Sequence, residues 1–362
     1  MADEVRYGII GTGMMGVEHL WNLHHVPGAR VTAIADPNGP SREFAVAADE
    51  GRNDFEVFTD HRDLLASGLV DAVVVATPNM THRQVLDDVL PTPLHVLVEK
   101  PLCTTVADCD AVLAAARGRE GIVWVGLEYR YMPPVARLLD VVRAGTVGRP
   151  TMVAIREHRF PVLAKVGDWN RFNRNTGGTL VEKCCHFFDL MNQVVDDAPV
   201  RVLASGAQDV NHLDEAYDGE VPDILDNAFV IVDYADGARA LLDLCMFAEA
   251  SEHQEELSVV GPLGKVEAFL PSSTVRVGLR ATGRPGIATE EVHDPRVAYE
   301  GFHHGSSYLE HLDFIDAIRR GGTAGVGLAE GRLSVAMGVA AQRSIAEGRA
   351  VTMAEVLGET AS

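Results

Sequence analysis

The stretch "VRYGIIGTGMMG" (5–16) limits the possible folds more than any other part of the chain. An apolar run, 5–10, reads as a buried strand, and Gly11, Gly13 and Gly16 follow it in the spacing G-x-G-x-x-G. A strand–turn–helix unit around a pyrophosphate needs that spacing. The first glycine makes a tight turn, the second gives the ligand access to the backbone, and the third lets helix and strand pack closely. The helix predicted from Met14, with Met15 in its first turn, offers free N–H groups and a positive dipole end to phosphate. Asp36 ends the next apolar run, "RVTAIAD" (30–36), about 20 residues further on. Its carboxylate suits both ribose hydroxyls of NAD and repels a 2′-phosphate, so NAD is favoured over NADP, while Arg42 nearby keeps NADP open. The competing reading of the glycines is a plain turn.

Three more apolar runs follow, "LVDAVVVATP" (69–78), "LHVLVEK" (94–100) and "IVWVGLEY" (122–129), separated by helix-compatible sequence. Unbroken Val/Ile runs between helices predict a parallel sheet covered on both faces, hence a doubly wound α/β, Rossmann-type dinucleotide domain ending near Gly126. Ligands bind at the carboxyl ends of such strands. Thr77, Pro78 and Asn79 in "ATPNMTH" (76–82) are therefore placed against the cofactor. His82 is grouped with them, although the reading that fits it better is the start of the next helix, with no chemical role. Glu99 and Lys100 end a strand beside the expected nicotinamide position. An ammonium there stabilises developing alkoxide charge, whereas the bland alternative is a surface lysine.

Beyond residue 126 the rhythm changes. "TMVAIREHRF", "VRVLASGAQD", "DNAFVIVDYA", "ARALLDLCMFA" and "EELSVVGPLGKVEAFL" are strand-like and joined by short Gly/Asp links, with "YADGAR" (234–239) as a hairpin connection. Two helical stretches, 306–320 and 328–347, follow. The expected fold is α/β: an N-terminal Rossmann domain, 1–126, and a C-terminal α+β domain, 127–362, with one mainly antiparallel sheet. A length of 362 residues fits two domains. The net charge of -21 argues against nucleic acid or an anionic membrane as partner. Five sparse cysteines, no secretory pattern in "MADEVRYGIIGTG" and no apolar run near ~18 residues predict a reduced, cytoplasmic protein.

The segment "GGTLVEKCCHFFDLMNQVV" (177–195) admits three readings: a zinc site, a redox pair, or the wall of a pocket that moves a proton. Adjacent Cys184 and Cys185 would point about 100° apart on a helix, and no second Cys/His cluster completes a tetrahedral set, so no metal is expected. Buried cysteines acting as small hydrophobes account for them better than a redox pair does. Wound as one helix over 179–195, the chain puts Glu182, His186, Asp189 and Gln193 on a single polar stripe. Such a stripe needs a partner, water or a ligand. Thr179 and Glu182 also have the spacing of a capping box. Asp189 either orients His186 or simply makes hydrogen bonds along the helix face.

Taken in order, the glycine motif, "ATPNMTH", "VEKP" (98–101), "GLEYRYMP" (126–133) and 177–189 resemble the Gfo/Idh/MocA family of glucose–fructose oxidoreductase and inositol dehydrogenase. The resemblance runs over nearly the whole chain and includes "AEGRAVTMAEV" (346–356), which is similar to the family's closing strand. It implies an NAD(P)-dependent oxidoreductase acting on CH–OH groups, with a large open second-domain sheet that builds a homodimer or homotetramer. It further implies oxidation of a secondary alcohol of a cyclic polyol, with a sugar, cyclitol or glycoside as the small-molecule partner. Lys100 matches the family's "EKP" lysine, which holds the substrate hydroxyl, and Lys100–Pro101 is a candidate cis bond. His186 matches the acid/base His of a D-x-G-x-H pattern, in which Glu182 replaces the Asp and Cys184 the Gly. Lys100, His186 and Glu182 are thus the expected catalytic residues, and all three are expected to touch substrate. Arg130 and Tyr131 match an Arg–aromatic pair that supports the cofactor or the domain junction, and Tyr131 is also placed among the substrate contacts.

"REHRFPVLAKVGDWNRFNRNTGG" (156–178) supplies polar forks and an aromatic plate suited to a polyhydroxylated ring. His158, Trp169, Arg171, Arg174 and Asn175 are candidate contacts, or else they brace a long loop. His303 or His304 in "GFHHGSSY" (301–308) is a further possibility. Two other functions compete: a sugar or glycoside oxidoreductase that recycles tightly bound NAD(H), and a non-catalytic dinucleotide-sensing regulator.

Overall fold

A computed structural model describes residues 4–358. The chain divides into two compact units. The first comprises the chain up to Glu128 together with Lys165–Trp169 and Pro295–Val335. Its sheet contains β1 (Val5–Ile10), β2 (Ala29–Ala35), β3 (Glu56–Phe58), β4 (Ala72–Val75), β5 (His95–Glu99) and β6 (Val123–Gly126). The order is β3-β2-β1-β4-β5-β6, with every pairing parallel. All four residues of β4 are buried, because helices cover both faces and the run has no reason to alternate. The strand order reverses between β1 and β4, and the carboxyl ends there form the crevice in which such sheets bind ligands.

Residues Pro295–Val335 were expected with the second domain, yet they pack with the first unit. Buried side-chain contacts explain this. The helix Ser306–Arg320 bonds His311 to His19 at 2.8 Å and Glu310 to the Trp124 indole at 3.0 Å. Phe314 fills the space beside Trp124, ring centroids 5.7 Å apart.

The second unit comprises Tyr129–Ala164, Asn170–Asp294 and the chain from Ala336 onward. Its strands are β7 (Met152–His158), β8 (Pro199–Ala207), β9 (Asn227–Tyr234), β10 (Arg239–Cys245), β11 (Glu255–Val260), β12 (Gly264–Leu270), β13 (Thr274–Leu279), β14 (Ala288–Glu291) and β15 (Val351–Thr352). They form one sheet in the order β14-β13-β12-β11-β7-β10-β9-β8-β15. Only β7–β10 is parallel. Burial alternates along β9 and β10, the signature of a sheet with one covered face. The expected hairpin at 234–239 forms, with Tyr234 N–H donating to Ala238 O at 3.0 Å across Gly237 in the left-handed region (φ +88°). Among the described residues, no helix is long and apolar enough to cross a membrane.

Candidate active site

In the first unit the glycine loop is shaped by three different constraints. Gly11 has φ +90°, and a Cβ on it would lie 2.7 Å from Ala76 C and Thr77 N. A Cβ on Gly16 would lie 2.0 Å from Gly11 O. These two glycines are required by the fold itself. Gly13 is different: its φ is -70°, and a Cβ there would meet nothing within 4 Å. Packing and backbone strain both permit a side chain at Gly13, so its bareness keeps an open cradle clear. The helix Met14–Leu23, which carries Met14 and Met15 in its first turn, has no side-chain cap at its N-terminus. A bare glycine cradle before an uncapped helix end fits a pyrophosphate. Asp36 follows β2, and its carboxylate accepts Thr12 N–H and Asn38 N–H, both at 2.7 Å. It is thereby fixed beside the same loop, where it suits the ribose hydroxyls of NAD. The Arg42 guanidinium donates to Asp36 O at 2.5 Å.

The strand ends carry the other expected cofactor residues. The Thr77 hydroxyl accepts from Thr81 at 2.9 Å, Pro78 precedes the short turn Asn79–Thr81, and Asn79 Nδ2 is buried without a partner among the described residues. His82 begins the helix His82–Val89 and is fully buried, its ring lying between the carbonyl oxygens of Pro101 (2.9 Å) and Thr77 (3.0 Å). It braces the loop of Thr77 to the segment of Lys100. The Lys100–Pro101 bond is cis. Glu99 Oε2 accepts Lys100 N–H at 3.1 Å, and Glu99 Oε1 meets His19 Nε2 at 2.8 Å, with His19 Nδ1 in turn 2.8 Å from His311 Nε2. Burial pushes the Glu99 carboxyl up, but the hydrogen bond and charge of His19 and the charge of Lys100 outweigh it and hold it at about 2. Burial keeps His311 neutral, far below the usual imidazole range. Burial also raises the Glu128 carboxyl to about 7 against the opposing charge of His303, whose Nδ1 lies 3.3 Å from Glu18. His304 is likewise pushed down by burial.

In the second unit, 179–195 is two helices, Thr179–Glu182 and Cys185–Val195, rather than the single one expected. Cys184 N–H reaches back five residues to Thr179 O at 3.4 Å, a widened, π-type turn. A regular stripe through Glu182 and His186 is therefore interrupted. The expected capping box is also absent: Gly178 is the N-cap, and the Thr179 hydroxyl donates to Leu225 O at 2.6 Å. His186 is the second residue of its helix, where the positive dipole end disfavours an imidazolium.

The His186 ring is 2 % exposed and stacks on Tyr129, centroids 4.0 Å apart and planes within 10°. The Tyr129 hydroxyl accepts from Lys183 Nζ at 2.6 Å, and Lys183 also pairs with Glu157 at 2.9 Å. Glu157 is shared with Arg159 at 3.2 Å. Glu255 stands opposite Glu157 across β11 and β7, and burial together with that neighbouring charge raises its carboxyl to about 7. Asp189 accepts two bonds from the Arg130 guanidinium, that from Nε at 2.5 Å.

His158 ends β7 and lies 3.0 Å from Asp243. Arg171 is buried and donates to Glu215 at 3.0 Å. Arg174 is exposed, pairs with Glu220 and lies 4.1 Å over the Phe172 ring. Tyr131 ends the turn Glu128–Tyr131, and Asn175 sits in the short helix Asn173–Thr176, whereas Trp169 belongs to the first unit. All five cysteines are free thiols, and among the described residues no His/Cys/Asp/Glu group could hold a metal. Sequence reasoning missed Tyr129, Lys183, Glu157, Glu128 and His19. The one available signal was a charged residue inside an apolar run, as in "LVEKCC" or "VEHLW".

The description "Oxidoreductase family, NAD-binding Rossmann fold" matches residues 5–127, and "Oxidoreductase family, C-terminal alpha/beta domain" matches 140–353. The chain belongs to the Gfo/Idh/MocA oxidoreductase family. This oxidoreductase is 30% identical to inositol 2-dehydrogenase 1 of Saccharopolyspora erythraea over 96% of each chain. It is 27% identical to myo-inositol 2-dehydrogenase of Thermotoga maritima over 98% of this chain and all of that one. Its fold is similar to that of levoglucosan dehydrogenase in complex with NADH, with a TM-score of 0.85 at 19% identity over 97% of this chain and 99% of that one. The first unit of this oxidoreductase is an NAD-binding Rossmann domain, and the protein is an enzyme.

Proposed function

We propose that this oxidoreductase oxidises a secondary alcohol of a cyclic polyol, an inositol-type cyclitol or a pyranose sugar, in a reversible reaction. Bound NAD supplies the hydride acceptor. The observation that carries the proposal is the placement of His186, an imidazole held at a helix N-terminus on the Tyr129 ring. A neutral imidazole so placed is a competent base for a hydroxyl proton. Lys100 follows β5 at the carboxyl edge of the parallel sheet, and its ammonium has the charge to hold the alcohol oxygen as that proton leaves. Glu182 is proposed to bind the substrate. Tyr131, His158, Trp169, Arg171 and Asn175 are proposed substrate contacts, and the nucleotide is assigned to Gly11, Gly13, Met14, Met15, Gly16, Asp36, Thr77, Pro78, Asn79 and Glu99, while His82, buried with both ring nitrogens on backbone carbonyls, holds the Thr77 loop behind them instead of touching the nucleotide. Relatives named as inositol 2-dehydrogenases support the choice of ring.

A screen of inositols, pyranoses and glycosides with NAD and NADP, read as reduced nicotinamide by absorbance, tests this. Turnover of a cyclic polyol with NAD is expected, and failure with every ring alcohol would remove the proposal.

We further propose that the protein is a homodimer or homotetramer built on the nine-stranded sheet. One sheet face exposes Leu203, Phe229, Ile231 and Leu241, with Phe229 60% exposed. Leu203, Ile231 and Leu241 lie side by side across β8, β9 and β10. A contiguous apolar face of this kind marks an association surface. Sedimentation of wild type and Phe229→Glu decides it, and a monomeric wild type would contradict it.

A further inference from the structure

Lys183 is only 8% exposed, at the break between two apolar helices. Burying an ammonium is costly unless it is paired, and even a well-paired buried ion gives little net stability over an apolar side chain of similar size. The surroundings would accept such a side chain, since Lys183 Nζ lies 4.8 Å from the Tyr129 ring centroid and 5.5 Å from that of Phe187. Packing therefore gives no reason for a charge at this position. The geometry gives one. Lys183 Nζ is tied to Glu157 at 2.9 Å, and Glu157 is wholly buried and held from the other side by Arg159. The ammonium is therefore a fixed point, and from it a 2.6 Å bond reaches the Tyr129 hydroxyl. That bond pins the hydroxyl end of the phenol ring, and His186 lies parallel to the same ring with centroids 4.0 Å apart. The widened turn at 183–184 allows Lys183 and His186 to address one aromatic ring from consecutive helices.

We propose that Lys183 is a positioning residue for His186, acting through Tyr129: the Glu157–Lys183–Tyr129 chain anchors the ring on which the imidazole packs and from which it presents its nitrogens. The proposal rests on the reading of His186 as the acid/base. An imidazole free to tilt loses alignment with the hydroxyl it deprotonates, and misplacement on the scale of 1 Å costs about 10²-fold in rate.

The full-length protein is compared with Lys183→Met, Lys183→Arg, Tyr129→Phe and the Lys183→Met/Tyr129→Phe double variant. The expected result is a kcat about 10- to 100-fold lower for Lys183→Met and Tyr129→Phe, with KM for the polyol and affinity for NAD within about twofold. Lys183→Arg should recover part of the loss, and the double variant should be no worse than the poorer single one, because both break the same chain. Tyr129→Phe keeps the ring and removes only the bond, so it decides the matter if Lys183→Met fails to fold. Independently of turnover, the His186 ring protons should show the upfield NMR shift of a stacked ring in wild type and lose it in Lys183→Met or Tyr129→Phe. Unchanged kcat, a loss confined to KM or NAD affinity, multiplicative losses in the double variant, or an unmoved ring-proton shift would overturn the proposal. Should wild type oxidise no polyol, the dehydrogenase reading fails by itself, and the ring-proton shift still decides the role of Lys183.

Discussion

The imidazole of His186 lies flat on the ring of Tyr129, centroids 4.0 Å apart and planes within 10°. The imidazole proposed as the base thus packs against a residue far upstream, and that residue is in turn held by a buried ammonium. The orientation is built into the second unit alone, which contains all three residues.

Gly13 and Gly16 should separate binding from folding. A methyl on Gly13 meets no protein atom, so Gly13→Ala is expected to leave stability within about 0.5 kcal/mol while raising the Kd for NAD at least about tenfold. A methyl on Gly16 would sit 2.0 Å from Gly11 O, so Gly16→Ala should lose ~3 kcal/mol or fail to fold. Urea unfolding together with calorimetric titration of NAD checks both. Unaltered NAD affinity in Gly13→Ala would dissociate the cradle from the cofactor.

Glu255 should make stability depend on pH. Its folded carboxyl, raised to about 7 by burial and by the charge of Glu157, holds a proton that the unfolded chain releases near ~4.3. The stabilising contribution is complete below the unfolded value and is lost as pH rises through 7, on the order of 3 kcal/mol in all. Glu255→Gln lacks this loss, so its stability relative to wild type should rise between pH 5 and pH 8. A constant difference across that window in urea unfolding would refute the assignment. Glu128, raised to about 7 in the first unit, adds to the wild-type decline in the same sense but cancels in this comparison.

Much of this arrangement is legible in the sequence, and what is not has a physical cause. The glycine loop was readable because its limits are largely local: Gly11 sits at φ +90°, and a Cβ on Gly16 would meet Gly11 O, whereas the close approach of Gly11 to Ala76 and Thr77 comes from far along the chain. The doubly wound sheet was readable because buried parallel strands need unbroken apolar runs. That Pro295–Val335 packs with the first unit rests on buried polar contacts such as His19–His311 and Trp124–Glu310, which leave no local trace in the sequence. Residues 179–195 read as one helix because the polar spacing is helical, and the widened turn at Cys184 depends on backbone bonding that spacing does not report. Lys183 was overlooked because a lysine beside a glutamate in a helix ordinarily faces water. Its burial only makes sense once Glu157 and Tyr129 are seen to meet it.

Arg130 and Asp189 form a buried ion pair, with side chains 10% and 2% exposed. Arg130→Met leaves a carboxylate in the interior without its guanidinium and should cost ~3–5 kcal/mol. Arg130→Met with Asp189→Leu should return most of that loss, because the stranded charge goes too. Chemical denaturation of the three proteins provides the check; a single variant within about 1 kcal/mol of wild type would mean the pair contributes as little as one on the surface.

The most direct measurement is the initial rate of reduced nicotinamide formation by wild type and His186→Ala at saturating NAD and cyclic polyol, with NAD affinity measured on both proteins. Removal of the proton acceptor should lower the rate by at least about 10²-fold and leave NAD affinity unchanged. A His186→Ala protein that turns over at the wild-type rate would contradict the assignment of His186 as the base.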